Sequence, residues 1–163
     1  RLSSVKGLDR TIRVLGELNK EREINCKWVI VGDGPERENL QVSIDGCGLK
    51  NIVFLIGEKE NPYPYIKKAR AFLLPSYHEA APMVYGESAA LGVPIVSTDT
   101  CSAAELVKDR NIGIVVDNNE AGIKRGLNEI IDGTVESNRI GVEEINKIAE
   151  SQLKNLYIEL CKT

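Results

Sequence analysis

The chain has little with which to hold a metal or bind a polyanion. His78 is its only histidine. The four cysteines, Cys26, Cys47, Cys101 and Cys161, stand far apart with no C-x-x-C pair, so sequence neighbours supply no ligand set with metal-site spacing. They read instead as reduced, mostly packed thiols. Lys plus Arg number 21 against 24 Asp plus Glu, a net charge of −3, and that balance offers no footprint for nucleic acid. No run approaches the roughly 18 apolar residues needed to cross a bilayer, and the opening RLSSVKGLDR lacks the apolar stretch of a signal peptide. The expectation is a soluble cytoplasmic domain. Repeats and low-complexity tracts are also missing, and GDGPER does not match the G-x-G-x-x-G phosphate fingerprint.

What is present reads as one globular domain. A chain of 163 residues has room for one complete domain. Its 42% hydrophobic and 28% charged residues suit a single packed core and argue against a disordered or fibrous segment. Leu8, Ile12, Leu15 and Leu18 recur at helical spacing and predict an amphipathic helix. The run CKWVIV over 26–31 predicts a buried strand with Trp28 in the core, closed by the turn cluster Gly32-Asp33-Gly34-Pro35. Pro35 is expected to open the next helix, which carries Leu40, Ile44 and Cys47 on one face and stops at Gly46 and Gly48. The alternation continues with a strand over 52–56, a short helix over 65–70 and a strand over 71–74. A helix over 82–91, a strand over 94–97, a helix capped by Ser102, a strand over 112–116 and a helix carrying Ile123, Leu127, Ile130 and Ile131 follow. Residues 133–138 read as a mobile linker, and 142–161 as a final helix.

Apolar strands alternating with amphipathic helices predict an α/β fold, a doubly wound parallel sheet covered on both faces. Ligands of such sheets bind beyond the carboxyl ends of the strands, which here means Gly32-Asp33, Gly57-Glu58, residues 76–83 and residues 98–101. Within SYHEAAPMVYGESAALGVPIVSTD, Glu79 precedes a predicted helix start and Glu87 lies on the helix. The amides around 81–84 could receive a phosphate at that helix N-terminus. The two acids could bind sugar hydroxyls, or could simply favour the helix start from solvent. Gly32 and Asp33 suit close backbone approach to a ligand or a plain strand-to-helix turn. Tyr63 and Tyr65 could stack a base or cover the sheet edge. Lys67, Lys68 and Arg70 read as a solvated helix face.

The stretch carrying Glu79 and Glu87 resembles the E-x7-E motif of retaining GT-B glycosyltransferases of the group 1 family. Other segments agree in order: Arg1-Leu2 with Lys6-Gly7-Leu8-Asp9, then VIVGDGPERENL, NIVFLIG, AFLLPSYHEAAPMVYGESAALGVPIVSTD and the later GIVVD. There are three departures from the family pattern: Ala80 stands where Gly is usual, Ala81-Pro82 replaces an aromatic-Gly pair, and Ser88 follows Glu87 where Ala is usual. Pro82 also removes one amide donor.

The resemblance implies a Rossmann-like nucleotide-sugar-binding domain over 1–132 with a helical extension over 133–163, the C-terminal half of a GT-B fold. It implies that Arg1 and Lys6 hold the donor diphosphate and that Glu79 contacts the donor sugar. Glu87 would then bind the ribose hydroxyls, the backbone near Ala81, Met83 and Val84 would cap the phosphate, and Gly32, Gly57 and Glu58 would flank the nucleotide. His78 could act as a base, though it more readily shapes the sugar pocket. The donor would be a UDP- or GDP-linked hexose-type sugar, the acceptor a polysaccharide or lipid-linked glycan. No metal or other cofactor is implied. A partner N-terminal domain would take the acceptor and could bring the protein to the inner face of the membrane. The resemblance places a further apolar strand ahead of Arg1, centrally between the Trp28 strand and the strand over 71–74, so those two strands should not pair with each other. An apolar face of Ile145, Ile148 and Leu153 could support a homodimer. The rivals are a nucleotide-sugar epimerase of the same architecture, against which the motif order argues, and a non-catalytic nucleotide-binding module, against which the presence of Lys6 and Glu87 argues. A flavodoxin-like response regulator would need an acidic cluster near Arg1, and none is there.

Overall fold

A computed structural model of the chain describes residues 1–80 and 82–137. The final helix expected over 142–161 and the Ile145, Ile148 and Leu153 face lie outside the described residues.

Among the described residues, five α-helices and five strands follow one another, alternating except between the last two strands, which a single turn of helix at Ala104–Lys108 connects. Helix α1 spans Leu8–Glu21, β1 Trp28–Ile30, α2 Arg37–Gly46, β2 Val53–Leu55, α3 Tyr63–Lys67 and β3 Phe72–Leu74. They are followed by α4 Val84–Leu91, β4 Ile95–Thr98, β5 Gly113–Val116 and α5 Glu120–Asp132. Among the described residues the strands pair in parallel, and one isolated antiparallel bridge joins Gly32 and Gly57 beyond them. β1 pairs with β2, Trp28 lying opposite Val53, and β4 lies between β3 and β5, with Ile95 opposite both Phe72 and Gly113. The α/β class read from the alternation is the class found.

Two apolar cores cement the layers. Ile12, Leu15 and Leu18 of α1 pack with Leu40 and Ile44 of α2 and with Ile123, Leu127 and Ile131 of α5. Tyr85 and Ala89 of α4 pack with Ile95, Val107 and Ile112 in the second core. Full burial of each such aliphatic side chain contributes about 1.5–3 kcal/mol, so these stripes, and not the surface ion pairs, hold the helices to the sheets. The exposed bridges Lys124–Glu21 at 2.7 Å and Arg22–Asp132 at 2.6 Å link α1 to α5 and add little each.

Local chemistry moved several boundaries. Helix α2 begins at Arg37, with Pro35 in the preceding turn. Helix α4 starts at Val84, two residues after Pro82, because Tyr85 N–H donates to the Pro82 carbonyl at 3.2 Å and closes a tight turn before the helical ladder begins. Ser102 is not a cap. The turn of helix at Ala104–Lys108 has Ala103 before it, and Ser102 Oγ is buried without a hydrogen-bond partner among the described residues. The cap that does form is Asn119, whose side chain accepts from Gly122 N–H at 2.8 Å and starts α5. Arg70 is more than a solvated face residue, since it donates to the carbonyls of Ile130 and Ile131 at the end of α5. Gly133 caps that end, so the segment expected to be a linker begins as a helix stop. Cys26 and Cys47 are half-buried and Cys101 is exposed, all three as free thiols. Burial pushes the Cys26 thiol pKa up.

β1 and β3 are not bonded to one another. Between them lies a slot of about 1080 Å³, walled by Trp28, Ile30, Leu73, Leu74, Leu127 and Ile131 among others. It occupies the position that the resemblance assigns to a further strand. Trp28 is only half-buried and lines this slot, so the expectation of a core tryptophan holds in part.

Candidate nucleotide-sugar site

The segment preceding α1 lies across the carboxyl ends of β1 and β3. Leu2 N–H donates to Asp33 carbonyl at 2.8 Å, and Val5 carbonyl accepts from Tyr77 N–H at 2.8 Å. Gly7 ends this segment with φ +61, closing the turn Ser4–Lys6 and opening α1. That left-handed backbone suits glycine, and a Cβ there would overlap the Pro75 carbonyl oxygen. Lys6 is thereby fixed against the loop that follows β3.

In that loop Lys6 Nζ meets Glu79 Oε1 at 2.6 Å, and Ser76 Oγ donates to the same oxygen at 2.7 Å. The Glu79 side chain is 12% exposed and that of Lys6 34%. Both contacts fall on Oε1, which leaves Oε2 the oxygen with no partner among the described residues. Removing Lys6 would leave the nearly enclosed Glu79 carboxylate without its counter-charge, which is costly.

Arg1, Lys6, Gly32, Glu58, Val84 and Glu87 all line the slot. Gly32 N–H donates to Gly57 carbonyl at 2.8 Å. The space beside both glycines is nearly empty, with Arg1 N 3.7 Å from a Cβ on Gly32 and Arg37 3.9 Å from one on Gly57. The loops after β1 and β2 thus leave the backbone at both glycines uncovered by side chains. Glu87 Oε1 accepts from the Tyr63 hydroxyl at 3.3 Å. Tyr63 is 46% and Tyr65 43% exposed, so neither is buried over a sheet edge. Met83 is 81% exposed. His78 is exposed and stands apart from the slot lining. Ala81 lies outside the described residues.

Behind the loop sits Arg10, which is 4% exposed. Its guanidinium donates to the Pro75 carbonyl at 2.9 Å, the Ser76 carbonyl at 3.3 Å and Asn118 Oδ1 at 2.6 Å, and it stacks 3.8 Å from the Tyr77 ring centroid. Desolvation lowers its pKa. Asn118 Nδ2 in turn donates to the carbonyls of Tyr77 and Asp99, at 3.0 and 3.1 Å. Thr98 Oγ1 donates to the Ser76 carbonyl at 2.6 Å. Nothing in the sequence pattern marks Arg10, because one arginine in an amphipathic helix reads as a surface residue. Tyr85 is buried against Ser97 Oγ at 2.7 Å, and burial pushes its phenol pKa up.

Residues 1–147 match the family described as Glycosyl transferases group 1. Among curated relatives, the lipopolysaccharide glucosyltransferase WaaG of Escherichia coli is 28% identical over 77% of this chain and 33% of its own length. An N-acetylgalactosaminyltransferase of Campylobacter jejuni, acting on a diphospho-undecaprenol-linked sugar, is 34% identical over 81% of this chain and 36% of its own. The chain therefore spans about a third of the length of these relatives. Among solved structures, Anabaena HepE in complex with UDP superposes with a TM-score of 0.75 at 22% identity, over 95% of this chain and 47% of that one. With parallel strands and helices that match GT-B glycosyltransferase structures, and with a family match over most of its length, the chain belongs to the glycosyl transferases group 1 family.

Proposed function

We propose that this chain is the donor-binding, C-terminal part of a retaining glycosyltransferase, which moves a hexose-type sugar from UDP or GDP to a polysaccharide or lipid-linked glycan. The observation that carries the reading is the Lys6–Glu79 contact at 2.6 Å, in which Lys6 lines the same slot as Arg1, Val84 and Glu87. Lys6 and Arg1 bring two cations to the place where a departing diphosphate accumulates charge, and such fixed charges act most strongly where charge develops. The backbone at the start of α4, around Val84, adds the positive end of a helix. These groups supply the positive charge without a resident metal.

Glu79 then takes the sugar. Its Oε1 is already held by Lys6 and Ser76, so Oε2 is the oxygen for a sugar hydroxyl. A carboxylate occupied in this way orients the donor better than it attacks it, which suits departure and entry on one face through an oxocarbenium-like state. Glu87 accepts from the ribose hydroxyls beside Tyr63, and Gly32, Gly57 and Glu58 flank the nucleotide. The acceptor is bound by a partner domain in the remainder of the polypeptide, on the cytoplasmic side of a membrane. The WaaG and Campylobacter relatives, which by name act on lipopolysaccharide and on an undecaprenol-linked sugar, support that acceptor class.

Calorimetric titration of the full-length polypeptide with UDP and with GDP tests the donor assignment. One nucleotide is expected to bind, and Lys6→Ala and Glu87→Ala are each expected to weaken it about 10- to 100-fold, the worth of one hydrogen bond to a charged group. Binding of neither nucleotide, or affinities unchanged in both variants, would sink the proposal.

A further inference from the structure

The structure assigns Arg10, acting with Asn118, as a positioning residue that presents Glu79 to Lys6 and to the donor. The assignment rests on the function proposed above. Guanidinium burial without a carboxylate partner is costly, and an apolar side chain of similar volume would commonly serve stability as well or better. Among the described residues, no carboxylate bonds to Arg10, and its Nε has no partner. What the cation reaches instead are main-chain carbonyls at the start of the Glu79 loop, Pro75 and Ser76, together with Asn118 from the β5–α5 connection.

These bonds join four elements at one point. α1 contributes Arg10 itself, the loop after β3 contributes Pro75 to Tyr77, and the loop after β5 contributes Asn118. Through the two donors of Asn118, the Tyr77 carbonyl and the Asp99 carbonyl after β4 are tied to the same point. From there one residue leads to the carboxylate, because Ser76, whose carbonyl Arg10 and Thr98 hold, donates its hydroxyl to Glu79 Oε1 at 2.7 Å. Arg10 also leaves α1 one turn after Lys6, so a single helix start sets both members of the Lys6–Glu79 pair. The bonds to Pro75, Ser76 and Asn118 Oδ1 all leave one guanidinium nitrogen, Nη2, while Nη1 reaches the Asn118 carbonyl at 3.5 Å. Lysine at position 10 would keep a charge but lose the Nη1 bond and the planar stacking on Tyr77. A shift of about 1 Å at Glu79 is the kind of displacement that costs on the order of 10²-fold in rate.

The test is a double-variant cycle in the full-length polypeptide. The assay follows nucleotide released from UDP-glucose, UDP-N-acetylgalactosamine and GDP-mannose, with melting curves for every variant. Arg10→Lys is expected to lower kcat about 10²-fold with little change in KM. In a Glu79→Gln background the same change is expected to cost less than about threefold, because a residue that acts through Glu79 has nothing left to position. Asn118→Ala, at a half-buried position and without removing a buried charge, should show the same loss of effect and covers the case in which Arg10→Lys fails to fold. Full additivity in both cycles would overturn the assignment and leave the knot a stability device. If Glu79→Gln alone leaves kcat unchanged, or the wild-type protein releases nucleotide from no donor, the functional reading itself fails and the positioning role falls with it.

Discussion

Lys6→Ala is expected to reduce kcat by about 10²–10³-fold, the usual loss when one fixed donor to a developing negative charge is removed. Two roles for this cation can be separated. It could stabilise the leaving diphosphate, or it could only balance the Glu79 carboxylate, which is nearly enclosed at 12% exposure and shares Oε1 between Lys6 and Ser76. The combination Lys6→Met with Glu79→Gln decides between them. If balance were the only task, neutralising both members would restore much of the rate, since no unpaired charge would remain. The proposed role requires the double variant to stay at least as slow as Lys6→Met alone, with both proteins melting as single cooperative transitions. A recovered rate would remove Lys6 from the reaction.

Gly7→Ala is expected to be the most damaging small substitution for stability among those considered. The left-handed backbone at φ +61 costs a non-glycine residue roughly 1–2 kcal/mol, and overlap of the new methyl with the Pro75 carbonyl oxygen adds about 1–3 kcal/mol of the kind seen on overpacking. Relief requires the loop after β3 to retreat from α1, which would also draw Glu79 from Lys6. The urea midpoint should therefore fall, and nucleotide affinity with it. Gly46→Ala makes the control. That position ends α2 with nothing within 4 Å of a new Cβ, and the same chemical change there should be neutral or stabilising by up to about 1 kcal/mol. Equal shifts in the two variants would mean that the Gly7 contact is not the constraint described.

The fold was legible where periodicity is strong. Leu8, Ile12, Leu15 and Leu18 defined α1, and the apolar runs around Val29, Phe54, Leu73, Val96 and Val115 all became strands. Boundaries were less legible where the decision lay in one or two hydrogen bonds. Pro82 looks like a helix start, but the Tyr85 to Pro82 turn displaced α4 to Val84. Asn119 carried a readable signal, a capping residue directly before Glu120, whereas Ser102 carried the same kind of signal and does not cap. The contact of Lys6 with Glu79, 73 residues apart, was suggested by the family resemblance and by no local pattern. Arg10 and Asn118 were invisible for a further reason. Apart from their bond to each other, 108 residues apart in the chain, and the stacking of Arg10 on Tyr77, their partners are main-chain carbonyls that every residue possesses, so little side-chain complementarity is written in the sequence.

The separation of β1 from β3 divides the hydrogen-bonded framework into two ladders of unequal protection. Trp28 N–H donates to Ile52 and Phe72 N–H to Pro94, away from the slot, so the strand alternation turns the amides of Val29 and Leu73 toward it. In β4 all four residues are buried and both edges are paired. Amide exchange in β4 then requires opening of the three-stranded unit as a whole. Amide exchange rates of Val96 and Ser97 consequently report on the opening of that unit.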